Sequence, residues 1–140
     1  MPVFQIVVDT NVLVAGLRSR RGASFELLSR IGASEDFEIN LSVPLVLEYE
    51  DVLKREAHLE HLNPEDADDV LDFLCAVGNP REIFFLWRPV LRDPDDDMIL
   101  ELAVQAGCSH IVTHSISDFR GSERFGIEAV TPRAFLEELR

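Results

Sequence analysis

Carboxylates mark the places where this 140-residue chain could do chemistry. Asp9 ends an almost wholly apolar run, Val3-Phe4-Gln5-Ile6-Val7-Val8, and Asp118 follows the apolar Ile111–Thr113 stretch by five residues. Between them, Arg92-Asp93-Pro94-Asp95-Asp96-Asp97 sets four aspartates within five residues, just before the apolar Met98-Ile99-Leu100. Aspartates in front of a helix first suggest capping. Asp93 would cap, Pro94 would take the first helical position, and Asp95 and Asp97 would face the positive end of the dipole. Asp96 does not fit that account. On a helix it shares a face with Ile99, Leu100 and Ala103, so it leads the apolar stripe inward, whereas Asp97 lines up with Glu101 on the solvent side. A carboxylate aimed at a core is costly unless a cation or hydrogen-bond donors meet it.

A further acid comes from Ser42-Val43-Pro44-Leu45-Val46-Leu47-Glu48-Tyr49-Glu50-Asp51-Val52-Leu53-Lys54-Arg55. Its helical wheel centres on Leu45, Tyr49, Val52 and Leu53, with Glu48 at one edge of that face and Glu50 at the other. Periodicity leaves the two open, and Asp51 projects away. Asp9, Asp96, Asp118 and one of these glutamates would form a group of like charges that raise each other's pKa values unless neutralised. Hard divalent ions, Mg²⁺ or Mn²⁺, are the natural neutraliser for such an all-oxygen site, and they serve chemistry at phosphates.

The elements that would position these acids alternate. A strand over 3–8, a short helix over 11–17, a loop over 18–22 and a helix over 23–31 are followed by a strand over 37–41. Ser42 can cap a helix running to Arg55, and Asn63-Pro64-Glu65-Asp66 is a strong helix start, with Val70, Leu71, Leu74 and Val77 on one stripe. A strand over 82–87 precedes the aspartate-led helix, which ends at Gly107. Strands over 110–113 and 127–130 follow, then a last helix capped by Thr131. Buried strands separated by helices predict one domain over 1–140, a three-layer α/β/α sandwich around a mainly parallel sheet of about 4–5 strands. Such sheets place their sites outside the carboxyl ends of the strands, where Asp9 and Asp118 fall.

Charge restricts the partners. The net charge is −13, with 26 acids against twelve arginines and one lysine, Lys54. That excludes nucleic-acid binding through a broad basic face, while permitting local arginine contacts around a cation-filled site and suiting a basic protein partner. No apolar run approaches a membrane span, and no signal peptide is evident, so a cytoplasmic location is expected. Cys75 and Cys108 read as reduced core or near-core residues. His58 and His61 lack matching ligands, His114 beside the site reads as a surface or packing residue rather than a base, and Phe84, Phe85 and Trp87 read as core.

Four blocks together resemble the PIN domain family: Val7-Val8-Asp9-Thr10-Asn11, the Ser42–Arg55 segment, Asp93–Phe119 and Val130–Leu139. The nearest branch is the bacterial group of toxins from type II toxin–antitoxin pairs. The resemblance implies a metal-dependent ribonuclease acting on single-stranded RNA, with Asp9, Glu48, Asp96 and Asp118 as catalytic and metal-holding acids. It thereby selects Glu48 over Glu50. Thr10, Asn11, Thr113 and Ser115 are implied as supporting polar groups, Ser115 being a departure because many relatives carry Asn or Asp there. It further implies homodimers or higher homo-oligomers and a small antitoxin partner. Arg18, Arg20 and Arg21, and Arg120 and Arg124, are candidate grips for substrate phosphates, although any one alone reads first as a solvated surface residue.

Two other readings compete. A phosphoaspartyl enzyme would want a catalytic lysine, and the phosphatase pattern a second Asp where Asn11 stands. A PIN-fold interaction module without catalysis would suit the −13 charge and Ser115.

Overall fold

The computed structural model describes residues 3–55, 63–83 and 90–139. Strand β1 (Phe4–Val8) leads into helix α1 (Thr10–Arg18) and α2 (Ala23–Arg30), then β2 (Phe37–Leu41) and α3 (Val43–Arg55). Next come α4 (Pro64–Val77), β3 (Asn79–Pro80), α5 (Pro94–Gln105) and β4 (His110–Val112). Two 3₁₀ turns (Ile116–Phe119, Ser122–Phe125) precede β5 (Glu128–Val130) and α6 (Pro132–Glu138). The five strands form one parallel sheet in the order β3-β2-β1-β4-β5, with Ile6 opposite both Ile39 and His110. Among the described residues six α-helices flank it, giving the expected α/β/α architecture.

Local signals set most boundaries. Asn63 accepts from the Asp66 amide and Asp66 reaches back to the Asn63 amide, a reciprocal capping box with Pro64 in the first turn. Thr131 caps α6 through the Ala134 amide, and the Ser42 hydroxyl accepts from the Leu45 amide ahead of α3. The core comprises the central strands (Ile6, Val7, Ile39, Ile111, Val112) and the helix stripes Leu45/Tyr49/Leu53, Leu71/Leu74 and Ile99/Leu100/Ala103. Gly16 is dictated by packing: a Cβ there would stand 2.3 Å from the Leu28 side chain, where α1 and α2 meet.

From β1 the chain steps outward to β2 and β3 by way of α1 to α4, then returns across the sheet through α5 to β4. Right-handed crossovers place helices of opposite stepping direction on opposite faces. Accordingly α1 packs on α2 and α3, and α2 on α6, while α5 lies along β2, β1 and β4. Strand order reverses between β1 and β4, which opens a crevice beyond their carboxyl ends.

Three expectations need correction. A two-residue strand, Asn79–Pro80, pairs with β2 where none was expected, and Glu82 and Ile83 of the expected 82–87 strand lie outside any strand. Pro80 is tolerated on this edge strand, and the Arg81 amide still donates to the Leu41 carbonyl of β2 at 2.8 Å; of the expected strand, 84–87, with Phe84, Phe85 and Trp87, lies outside the described residues, as do His58 and His61. Cys75 is exposed on the outer side of α4 instead of lying in or near the core, while Cys108 is buried and both are free. Asp97 and Glu101 are not on a wet face: they are 9% and 8% exposed. No helix among the described residues is long and apolar enough to cross a membrane.

Candidate active site

The geometry starts from Asp9, the cap of α1 at the crevice. Its Oδ1 accepts the Thr10 amide at 2.7 Å and its Oδ2 accepts the Thr113 hydroxyl at 2.8 Å. Its own amide donates to the Val112 carbonyl at 2.9 Å, so β1 and β4 clamp the residue from both sides. Beneath it, the Tyr49 hydroxyl donates to the Val8 carbonyl, tying α3 to the end of β1. Burial raises the Asp9 pKa; the hydrogen bonds from Thr113 and Thr10 oppose that rise, and the Asp118 charge adds to it.

Thr113 also accepts the Ser115 amide at 2.9 Å, and Ser115 Oγ accepts the Asn11 side-chain amide at 3.2 Å. The Asn11 carbonyl oxygen takes the His114 amide at 3.2 Å. These bonds lock the chain after β4 onto the first turn of α1. The Thr10 hydroxyl is buried here with no hydrogen-bond partner among the described residues.

Asp96 and Asp118 line a cavity of about 500 Å³ together with Asp93, Arg92, Ser117 and Arg120. Asp96 is half-buried, and burial together with the charges of Asp9, Asp93, Asp118 and Asp95 pushes its pKa up to about 7. Asp118 is exposed on the first 3₁₀ turn, facing both Asp9 and Asp96 electrostatically. Glu48, also half-buried, has a pKa raised first by burial and then by Asp95, with Asp51 and Asp9 contributing. Glu50 points the other way, bonded to Lys54 at 3.0 Å. Four acids from four segments thus meet electrostatically beyond the ends of β1 and β4.

They do not crowd onto one point. Among the described residues, the trio of His, Cys, Asp or Glu whose ligand atoms all come within 4.8 Å is His110, Glu128 and Glu138, beside the amino ends of β4 and β5. There the His110 ring is bonded to Glu138 at 3.0 Å and to Ser109 at 2.7 Å, a tether between sheet and α6.

The sequence profile of the PIN domain family matches residues 5–117, which hold Asp9, Glu48 and Asp96. The chain belongs to the PIN domain family. PIN domains are generally nucleases, so the crevice lies in a nuclease scaffold. A search of curated protein sequences finds no significant match. Solved structures share the fold: VapBC2 from Rickettsia felis bound to a DNA fragment from its promoter has a TM-score of 0.61 at 13% identity, covering 89% of this chain and 98% of that one. VapBC-1 from nontypeable Haemophilus influenzae has a TM-score of 0.60 at 13% identity, covering 92% and 98%.

Within this PIN domain the expected cationic residues part company. Arg120 lines the acidic cavity, and Arg124 is exposed on the second 3₁₀ turn outside it. Arg18 and Arg21 line a different groove, and the exposed Arg20 lines neither.

Sequence reasoning missed two positioning residues. Asp97 Oδ1 accepts the amides of Val90 and Leu91 at 3.1 and 2.9 Å, holding the segment that walls the cavity. The Tyr49 hydroxyl was legible only as an apolar wheel position. In neither case does a local pattern carry the signal, because both partners are backbone groups brought in by the fold.

Proposed function

We propose that this PIN domain is a metal-dependent endoribonuclease that hydrolyses phosphodiester bonds of single-stranded RNA, the toxin of a toxin–antitoxin pair. The observation that carries the reading is the electrostatic convergence of Asp9, Glu48, Asp96 and Asp118 where the strand order reverses. Such a set of mutually repelling, partly buried carboxylates makes sense beside cations. The residues fit Mg²⁺ or Mn²⁺: every available donor is oxygen, and the buried Thr10 hydroxyl beside Asp9 has an unused lone pair. Among the described residues no three of these acids bring ligand atoms within 4.8 Å of one another, which fits an ion that keeps several of its waters, as Mg²⁺ does.

Asp9, Asp96 and Asp118 would hold the ions, with Glu48 direct or through water. Bound ions would acidify water and neutralise charge on the attacked phosphate. The protein's own part is to orient Asp9 through Thr10 and Thr113, and to fix the loop after β4 through Asn11 and Ser115. Arg120, which lines the cavity with Asp96 and Asp118, would place a positive charge beside the phosphate. Products would carry 5′-phosphate and 3′-hydroxyl ends. The VapBC neighbours support a small antitoxin as partner, and the net charge of −13 suits a basic one. A homodimer or higher homo-oligomer and a cytoplasmic location belong to the same reading.

A phosphoaspartyl mechanism loses its support, because Lys54, the chain's one lysine, is engaged by Glu50 and Asp68 on the flank of α3. A non-catalytic interaction module is favoured by one observation, the Ser115 hydroxyl accepting from the Asn11 side chain at a position where the family resemblance implies Asn or Asp. Incubation with labelled single-stranded RNA in Mn²⁺, Mg²⁺ or EDTA decides between them. Metal-dependent cleavage that disappears in both Asp9→Asn and Asp96→Asn is expected. An intact substrate with wild-type protein in both metals sinks the nuclease reading.

A further inference from the structure

A second concavity, of about 520 Å³, lies between the α1–α2 turn and the start of α6. Arg18, Arg21 and Arg133 line it with Ser24 and His114, and no Asp or Glu is among its lining residues. In a chain with 26 acids and a net charge of −13, an acid-free groove holding three of twelve arginines is a marked local inversion of charge. Arg133 comes from 112 or more residues away in sequence, so only folding assembles the group.

The backbone adds to that field. Gly22, whose φ of 98° needs glycine, stands as the N-cap before α2, and no side chain caps the helix. Gly22, Ala23 and Ser24 line the groove, so the uncapped first turn of α2 adds the positive end of a helix dipole to it, which favours an anion. Glu26, one turn along α2, is bonded to Arg30 at 2.7 Å. The groove shares no lining residue with the acidic cavity, but a bonded path ties it to Asp9. Thr113 holds Asp9, the next residue is His114, its amide is fixed by Asn11, and its Nε2 shares a 2.7 Å hydrogen bond with the buried Ser24 hydroxyl.

From this we infer that the groove is a phosphate-backbone subsite, taking RNA phosphates that flank the bond presented to the acidic cavity. The inference rests on the nuclease reading for the identity of the strand. Guanidinium groups and helix amides contact phosphates without reading bases, so the subsite adds affinity and register rather than sequence preference.

The test uses a labelled single-stranded RNA dodecamer and a non-cleaving Asp96→Asn background, with affinity followed by fluorescence anisotropy over a salt series. Adding Arg21→Gln and Arg133→Gln removes two exposed charges without touching the core. Roughly tenfold weaker binding near physiological salt is expected. The slope of log K against log salt should fall by roughly 1.4, since each lost phosphate contact on a single strand is worth about 0.7. Arg55→Gln with Arg81→Gln removes the same charge elsewhere and should cost less than twofold. Equal losses in both double variants, or none in either, overturn the subsite. RNA binding that depends on Arg21 and Arg133, in a protein that cleaves nothing, overturns the nuclease reading and leaves the subsite standing.

Discussion

Asp9 is held by donors on both carboxylate oxygens, so its orientation is settled before anything binds. Thr113→Val keeps the shape of the side chain and removes one of those donors, together with the acceptor for the Ser115 amide. A buried polar group left without its partner costs about 1–3 kcal/mol. Urea unfolding of Thr113→Val in EDTA should show a loss of that size, with cleavage at least tenfold slower; unchanged values would mean that Asp9 is oriented by something else. Asp96 makes a prediction of opposite sign. Its carboxyl, at about 7 in the fold, titrates near 4 in the unfolded chain. Below pH 4 both states hold the proton and nothing is lost. Between pH 4 and 7 the unfolded chain ionises first, so stability falls across that window and levels off above it. Water reaches much of the side chain, so the loss is on the order of 1–2 kcal/mol. Metal-free Asp96→Asn should melt a few degrees higher than wild type at pH 7.5 and match it at pH 4.

At the scale of elements, α5 carries the clearest lesson. Its start was legible as Asp93-Pro94, and the structure has Asp93 Oδ1 on the Asp95 amide at 2.9 Å. Its buried sector was not. The helix is covered by the sheet on the Ile99/Leu100/Ala103 side and by the Val90-Leu91 segment on the Asp97 side. A wheel marks which residues share a face, yet it cannot show that a preceding segment folds over a polar one. Asp97→Ala would strand two backbone amides, whereas Asp97→Asn keeps an oxygen for them. The alanine variant should lose about 1–3 kcal/mol and exchange the Val90 and Leu91 amides faster, with the asparagine variant milder. Equal protection in all three proteins would remove Asp97 from that role. On α3 the wheel left Glu48 and Glu50 at opposite edges; packing turns one toward Asp9 and Asp95 and gives the other to Lys54.

For the molecule as a whole, acids concentrate at the crevice and arginines gather at the groove beside it, within a strongly negative surface. If the crevice holds a divalent ion, binding only the folded state stabilises it by mass action, about 2.7 kcal/mol at a hundredfold excess over Kd. Mn²⁺ should therefore raise the melting temperature of wild type by several degrees at pH 7.5. The rise should vanish in Asp9→Asn, while a rise that persists there points to ions bound elsewhere, with His110, Glu128 and Glu138 the first group to examine.

Much of this was decided within short stretches of chain. Alternating buried runs and capped helices specified a parallel α/β/α sheet, because strand burial, the Asn63 capping box, Asp93-Pro94 and Thr131-Pro132 act over a few residues. Asp9 and Asp96 stood out for the same reason, each a charge breaking a local apolar pattern. The brevity of β3, the burial of Asp97 and Glu101, the pairing of Glu50 with Lys54 and the company of Arg133 were settled only in three dimensions. Each depends on which distant segment covers a given face, and covering, through desolvation and the nearness of other charges, sets the free energy of a polar side chain.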